Sequence, residues 1–138
     1  MNRTELQQLA ELRMKEAKAL LDAGCFEGAY YLAGYAVECA IKSGFAKKTV
    51  QYDFPDKKVV NQIYDHNPVN LIKAAGLERE WEKELKASAG FRTNWNIVKD
   101  WTEESRYKTK VEEKLAQGLY DAITDPRDGV MAWLKKHW

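Results

Sequence analysis

Residue types that commonly build chemical sites are scarce in this sequence. Its 138 residues include 2 cysteines, 2 histidines, 3 prolines and 8 glycines. The sequence contains no CxxC, no HExxH and no histidine pair at helical spacing, which excludes the common zinc motifs. It contains no glycine-rich phosphate loop and no GxSxG motif either. The sequence therefore predicts no bound metal ion and no cofactor.

The sequence also lacks an excess of charge and a long apolar run. Its 22 basic and 21 acidic side chains leave a net charge of +1, which does not support a large basic nucleic-acid surface. Glu38 interrupts the most apolar stretch, Gly28–Ile41, which is too short to span a membrane. Cys25 and Cys39 would lie about 20 Å apart on one helix, too far for a disulfide. With the polar start at Met1–Gln8, these features predict a cytoplasmic protein with reduced thiols.

Helical periodicity is present along most of the sequence. Hydrophobic residues make up 45% and charged residues 31%, the composition of a globular domain. A first helix is predicted from a capping box at Thr4 and Gln7 to a stop at Gly24. The second predicted helix, Phe26–Phe45, is apolar around most of its circumference and should lie at the centre. We therefore expect one all-α domain over residues 1–138, an up-and-down bundle of four to five helices.

Shorter helices are predicted in the second half of the chain. The pattern indicates a short helix at Lys57–Tyr64, and Asn67-Pro68 suits an N-cap followed by proline at the first helical position. A capping box at Thr109–Glu112 predicts the start of the next helix. The dipeptide Asp125-Pro126 predicts the start of the last one.

Two charged residues interrupt the apolar second helix. Glu38 and Lys42 stand at i and i+4 in the order that favours an ion pair. If this helix is central, the Glu38 carboxylate must be paired, because an unpaired buried carboxylate is strongly unfavourable. Arg106 is a second predicted partner, since its guanidinium offers a bidentate fork. In the other interpretation Arg106 also faces a cleft and binds an anion such as a phosphate.

The histidines and cysteines are predicted to be structural. We interpret His66 as the end of a loop and His137 as part of a frayed C-terminus. No base stands near Cys25 or Cys39 in the sequence, so a buried apolar role is predicted for each thiol rather than a nucleophilic one.

Three segments together resemble the HEPN family, named for higher-eukaryote and prokaryote nucleotide-binding. The run Leu20–Lys42, with its small, aromatic, acidic, aliphatic and lysine residues, resembles the family's first helical hairpin. Ser105-Arg106-Tyr107 is similar to the family's Ser-Arg-Tyr element before a long helix. His66–Leu71 loosely resembles its His-x-Leu stretch. The match covers most of the chain in order.

The resemblance implies a bundle of four or five helices that commonly forms a homodimer. Many members are metal-independent RNases, often toxins or defence proteins paired with a nucleotidyltransferase. Their active site is an Arg followed after four to six residues by a His. No Arg of this sequence has a His at that distance, and the matching positions after Arg106 hold Val111, Glu112 and Glu113. RNase activity by the usual mechanism is therefore not expected, because no imidazole is placed to transfer a proton.

These observations predict a HEPN-type accessory module that associates with nucleotide or RNA, in a toxin–antitoxin or defence pair with a nucleotidyltransferase. Arg106, Tyr107 and Lys42 are the candidate ligand-binding residues. Glu38, Arg106 and Ser105 are the candidate structural polar core. Two alternatives stay open, a helical protein–protein interaction module without nucleotide binding and a divergent metal-independent RNase.

Overall fold

The computed structural model describes residues 2–48, 61, 62 and 64–138, and all regular structure within them is helical. The delimited helices are α1 Arg3–Asp22, α2 Phe26–Lys48, α3 Pro68–Ala74, α4 Glu78–Ala87, α5 Ala89–Val98, a 3-10 helix Glu103–Tyr107, α6 Glu113–Thr124 and α7 Val130–Lys135. The all-α prediction is confirmed, with more and shorter helices than the four to five predicted. The predicted helix at residues 57–64 lies mostly outside the described residues.

Helices α1 and α2 are joined by the short turn that the sequence predicts. Gly24 has a φ of 77°, in the left-handed region where a side chain is disfavoured, and it follows the end of α1. The predicted capping box at Thr4 is wrong. Asn2 caps α1 instead, because its side chain accepts a hydrogen bond from the Glu5 N–H while Glu5 accepts one from the Asn2 N–H. Asn2 and Glu5 have the same spacing as Thr4 and Gln7, so both pairs satisfy the pattern.

Helix α2 lies at the centre of the fold. It packs against α1, α3, α6, α7 and the 3-10 helix. Residues on several of its faces are at most 3% exposed: Ala29, Ala33, Ala36, Val37, Ala40 and Ile41. At Gly34 the missing side chain makes room for Trp101, since an added Cβ would lie 2.1 Å from the indole Cε2 atom. None of the described helices is both long enough and apolar enough to cross a membrane.

The start of α3 follows the sequence prediction closely. The Asn67 side chain accepts hydrogen bonds from the N–H groups of Val69 and Asn70, and Pro68 occupies the first turn. Gly76, with a φ of 73°, follows the C-cap. Both ends of α3 are therefore determined by local chemistry.

The starts of α6 and α7 differ from the predicted positions. Helix α6 begins at Glu113, after an N-cap residue that makes no side-chain hydrogen bond, so the capping box predicted at Thr109 is wrong. Helix α7 begins at Val130 rather than directly after Asp125-Pro126. The Asp125 carboxylate accepts from the N–H groups of Arg127 and Asp128, which closes a turn before the helix. These hydrogen bonds lower the pKa of Asp125.

Candidate functional site

A buried carboxylate on α2 is the centre of a polar cluster formed by Glu38, Lys42, His66 and Glu103. The Glu38 side chain is 2% exposed, and its Oε1 atom lies 2.7 Å from the Lys42 Nζ atom one turn further along the helix. This is the pair that the i,i+4 spacing indicates. The Lys42 side chain is 19% exposed, so its ammonium pairs with Glu38 close to solvent. The ion pair gives the carboxylate a partner inside an otherwise apolar helix.

His66 is the second partner of Glu38. Its Nδ1 atom lies 2.7 Å from the same Glu38 Oε1 atom. Its Nε2 atom lies 3.0 Å from Oε2 of Glu103, on the 3-10 helix. The imidazole thus joins the central helix to the 3-10 helix. His66 is 28 residues away from Glu38 in the sequence. His66 lies at the end of a loop, as the sequence predicts. Its role as a bridge between two carboxylates was not predicted.

Local hydrogen bonds hold the loop that carries His66. The Asp65 carboxylate accepts from the Asn67 N–H at 2.8 Å and from the Asn70 side-chain amide at 2.8 Å. Asn67 in turn caps α3. The residues on both sides of His66 are therefore fixed to the start of α3, which places the imidazole beside α2. The signal that could have identified His66 is this N-cap directly after it, combined with a buried carboxylate that needs a donor.

Arg106 does not contact Glu38, so the predicted Glu38–Arg106 ion pair is wrong. Arg106 is exposed, and it forms no salt bridge with any carboxylate in the described part of the chain. Its guanidinium carbon lies 4.8 Å from the centroid of the Tyr107 ring, a cation–π contact. Tyr107 is itself 71% exposed. The donor to Glu38 comes from His66 because the loop before α3, and not Arg106 of the 3-10 helix, reaches the carboxylate.

Ser105 lies in the core, next to the exposed pair, at the contact between the 3-10 helix and α2. It is 2% exposed, and its hydroxyl has no hydrogen-bond partner among the described residues. The same holds for the indole N–H of buried Trp101 and for Oε2 of Glu38. Sequence reasoning places Ser105 with Glu38 in a polar core. The structure buries both residues and assigns them no direct hydrogen bond to each other.

Two concave surfaces adjoin the polar cluster. A groove of about 630 Å³ lies between α1 and α2, and its lining includes Glu38, Lys42, Cys39, Tyr35, Leu6 and Phe45. A smaller pocket of about 330 Å³ is lined by Asp65, His66, Asn67, Trp101, Thr102, Glu103 and Glu104. Lys42 belongs to the groove, whereas Arg106 and Tyr107 line neither surface. The three residues predicted to bind a ligand are therefore divided between two locations.

The thiol and phenol in the groove are poor nucleophiles. Burial raises the pKa of Cys39 to about 11, and burial together with neighbouring Cys39 raises the pKa of Tyr35 to about 12. Both groups therefore stay protonated near neutral pH, and the thiolate is the reactive form of cysteine. Cys25 is a free, exposed thiol, so the prediction that it is buried is wrong. No group of His, Cys, Asp and Glu in the described residues is arranged to hold a metal ion.

Comparison with known proteins identifies no relative of this chain. Its sequence matches no protein-family model. It also matches no curated protein and no solved structure. Function is therefore inferred from the geometry of the residues described above.

Proposed function

We propose that this protein is a HEPN-type accessory module that associates with nucleotide or RNA through Arg106 and Tyr107. The observation that supports this is the exposed guanidinium, which stacks on an exposed ring and has no carboxylate bound to it in the described chain. A structural arginine would be covered and paired. A guanidinium without a bound carboxylate offers a fork of N–H donors that fits a phosphate.

The two side chains supply complementary contacts for a nucleotide. Arg106 would hold a phosphate oxygen pair, and the exposed Tyr107 ring would stack on a base. Lys108 adds positive charge nearby, with its Nζ atom 6.0 Å from the Tyr30 ring centroid. Lys42 is bound to Glu38 and faces the α1–α2 groove, so we assign it to the polar cluster rather than to the ligand surface.

Titration of a fluorescein-labelled single-stranded RNA, followed by anisotropy, tests this proposal. Arg106→Ala should weaken binding about tenfold or more, the loss of a hydrogen bond to a charged group. Arg106→Lys keeps the charge without the fork and should recover part of the affinity. Arg79→Ala is the matched control, because Arg79 is an exposed arginine on α4, away from the 3-10 helix. Equal affinities for wild type and Arg106→Ala would reject Arg106 as a ligand contact.

Cleavage of RNA is a second candidate function, and the position of His66 is the observation that favours it. A carboxylate beside Nδ1 orients an imidazole as it does in many general bases. In the structure, however, the Nε2 atom is paired with Glu103 at 3.0 Å, and no Arg of the sequence is followed by a His after four to six residues. We therefore expect no cleavage of single-stranded RNA by the purified protein. Cleavage that persists when His66 and His137 are both replaced, but is lost in Arg106→Ala, would establish an RNase that works without histidine.

The proposal extends to partners through the resemblance to the HEPN family. It includes a homodimer and a nucleotidyltransferase partner in a toxin–antitoxin or defence pair. Aromatic content alone does not argue for an interface, because the fold buries Trp95, Trp101, Trp133, Phe91 and Tyr30. Support comes instead from exposed apolar side chains, Leu12 at 48%, Leu115 at 47% and Ile97 at 38%. Binding of a protein partner with no affinity for RNA or nucleotide would favour the interaction-module alternative.

A further inference from the structure

His66 stands between two carboxylates, and the number of protons on its ring determines how many of them it can hold. Nδ1 lies 2.7 Å from Glu38 and Nε2 lies 3.0 Å from Glu103. A protonated imidazole has two N–H donors and satisfies both carboxylates. A neutral imidazole has one N–H, so its other nitrogen would present a lone pair to a negative oxygen.

We propose that His66 is a proton-operated clasp that ties the 3-10 helix to α2 when its ring is charged and releases Glu103 when its ring is neutral. The clasp regulates how the 3-10 helix is anchored, and it does not depend on whether Arg106 binds a phosphate. It therefore goes beyond the proposed function.

The difference in burial decides which of the two contacts is lost. Glu38 is 2% exposed, and one of its oxygens has no hydrogen-bond partner among the described residues, so the loss of a further donor there is strongly unfavourable. Glu103 is 38% exposed and can turn toward water at little cost. The neutral ring should therefore keep its proton on Nδ1, against Glu38, and leave Nε2 bare.

Other charged groups around the ring favour the same outcome. Lys42 on α2 stays paired with Glu38 in either state and makes no salt bridge to Glu103, so it does not offset the loss of the His66 contact at Glu103. Glu104 on the 3-10 helix and Asp65 on the histidine's own loop line the pocket with His66. Once the ring is neutral, these neighbouring negative charges repel the Glu103 carboxylate and make it harder to retain.

Release of Glu103 should affect the surface that carries Arg106, because both residues belong to the 3-10 helix. Residues three apart in a 3-10 helix lie on the same side, so Glu103 and Arg106 are adjacent along one edge. The helix is short, with its Ser105 and Lys108 N–H groups bonded at 3.1 Å to the carbonyls of Thr102 and Ser105. The contact to His66 adds to these hydrogen bonds and to the packing of buried Ser105 against α2.

The first test needs no mutation. Ring nitrogen shifts of ¹⁵N-labelled full-length protein are followed from about pH 5 to about pH 8.5, the range in which histidine changes charge. Both His66 nitrogens should carry protons at the acidic end, and Nδ1 alone at the basic end. His137, which packs 4.8 Å from Trp133, is an internal reference in the same spectra. A neutral ring with its proton on Nε2, or no titration of His66 in this range, would overturn the proposal.

The second test asks whether the 3-10 helix responds. Amide protection factors of Ser105 and Lys108, corrected for intrinsic exchange, should fall about tenfold above the titration, the effect of one hydrogen bond to a charged group. Glu103→Gln should remove this pH dependence. Glu104→Gln removes the same charge from the neighbouring residue, which makes no salt bridge to His66, and should keep it. Protection factors that stay constant with pH in the wild-type protein would contradict the clasp. So would a Glu104→Gln variant that loses the pH dependence as fully as Glu103→Gln does.

Discussion

Replacement of Glu38 by alanine measures how much the polar cluster contributes to the free energy of unfolding. The side chain is 2% exposed and accepts hydrogen bonds at 2.7 Å from both Lys42 and His66. Its removal leaves the Lys42 ammonium without a carboxylate among the described residues and leaves the His66 imidazole with Glu103 alone. Removal of one partner from a buried ion pair typically costs about 3–5 kcal/mol.

The expected loss lies at the lower end of that range. Lys42 and His66 are 19% and 41% exposed, so water can solvate both groups again when the carboxylate is gone. We therefore expect Glu38→Ala to lower the free energy of unfolding by about 3 kcal/mol. Arg106→Ala should change it by less than about 0.5 kcal/mol, because Arg106 is exposed and makes no salt bridge among the described residues.

Urea unfolding followed by far-ultraviolet circular dichroism gives these free energies, provided that the slope m stays constant across the variants. The double mutant Glu38→Ala with Lys42→Ala should lose less than the sum of the single losses, by about 1–2 kcal/mol. Glu38→Ala with Arg106→Ala should be additive. Asp22→Ala is the matched control, since Asp22 pairs with Lys18 at the same i,i+4 spacing on an exposed face, and it should cost under about 0.5 kcal/mol.

Two results would refute this reasoning. One is a loss below about 1 kcal/mol in Glu38→Ala, the size expected of an exposed pair. The other is a strong coupling between Glu38 and Arg106, which would restore the contact that the sequence suggested and the structure does not contain.

Three further predictions concern packing, thiols and assembly. Gly34→Ala should destabilise the protein by about 2 kcal/mol in the same urea assay, because its Cβ would lie 2.1 Å from buried Trp101. Gly118→Ala would place its Cβ within 4 Å of no atom in the described part of the chain, and it should stabilise the protein by up to about 1 kcal/mol. Iodoacetamide at about pH 8 should modify exposed Cys25 and spare buried Cys39, because the Cys39 pKa of about 11 leaves little thiolate. Labelling of Cys39 in the folded protein, detected by mass spectrometry, would contradict this prediction. Sedimentation at tens of micromolar, a concentration that populates a specific complex, should show a homodimer, and a monomer there would contradict the proposed assembly.

Much of the local structure was predictable from the sequence. Gly24 and Gly76 mark the ends of α1 and α3 because a left-handed residue costs glycine nothing. Asn67-Pro68 marks the start of α3, and the Glu38–Lys42 pair follows from their spacing. Capping boxes were less informative, because several Asn, Thr, Glu and Gln residues near a helix start satisfy the same pattern and the sequence does not rank them.

In the polar cluster, the identity of the distant donor to Glu38 depends on the tertiary structure. The hydrophobic pattern of α2 predicts that Glu38 lies on a helix that is apolar on nearly every side, so its carboxylate needs a hydrogen-bond donor. It did not determine which distant donor arrives, because Arg106 and His66 both precede helices and both offer N–H groups. That choice depends on how α3 and the 3-10 helix dock against α2, through long-range contacts that no local pattern encodes. Packing brought His66 to the carboxylate and left Arg106 exposed on the surface, where its guanidinium stacks on Tyr107.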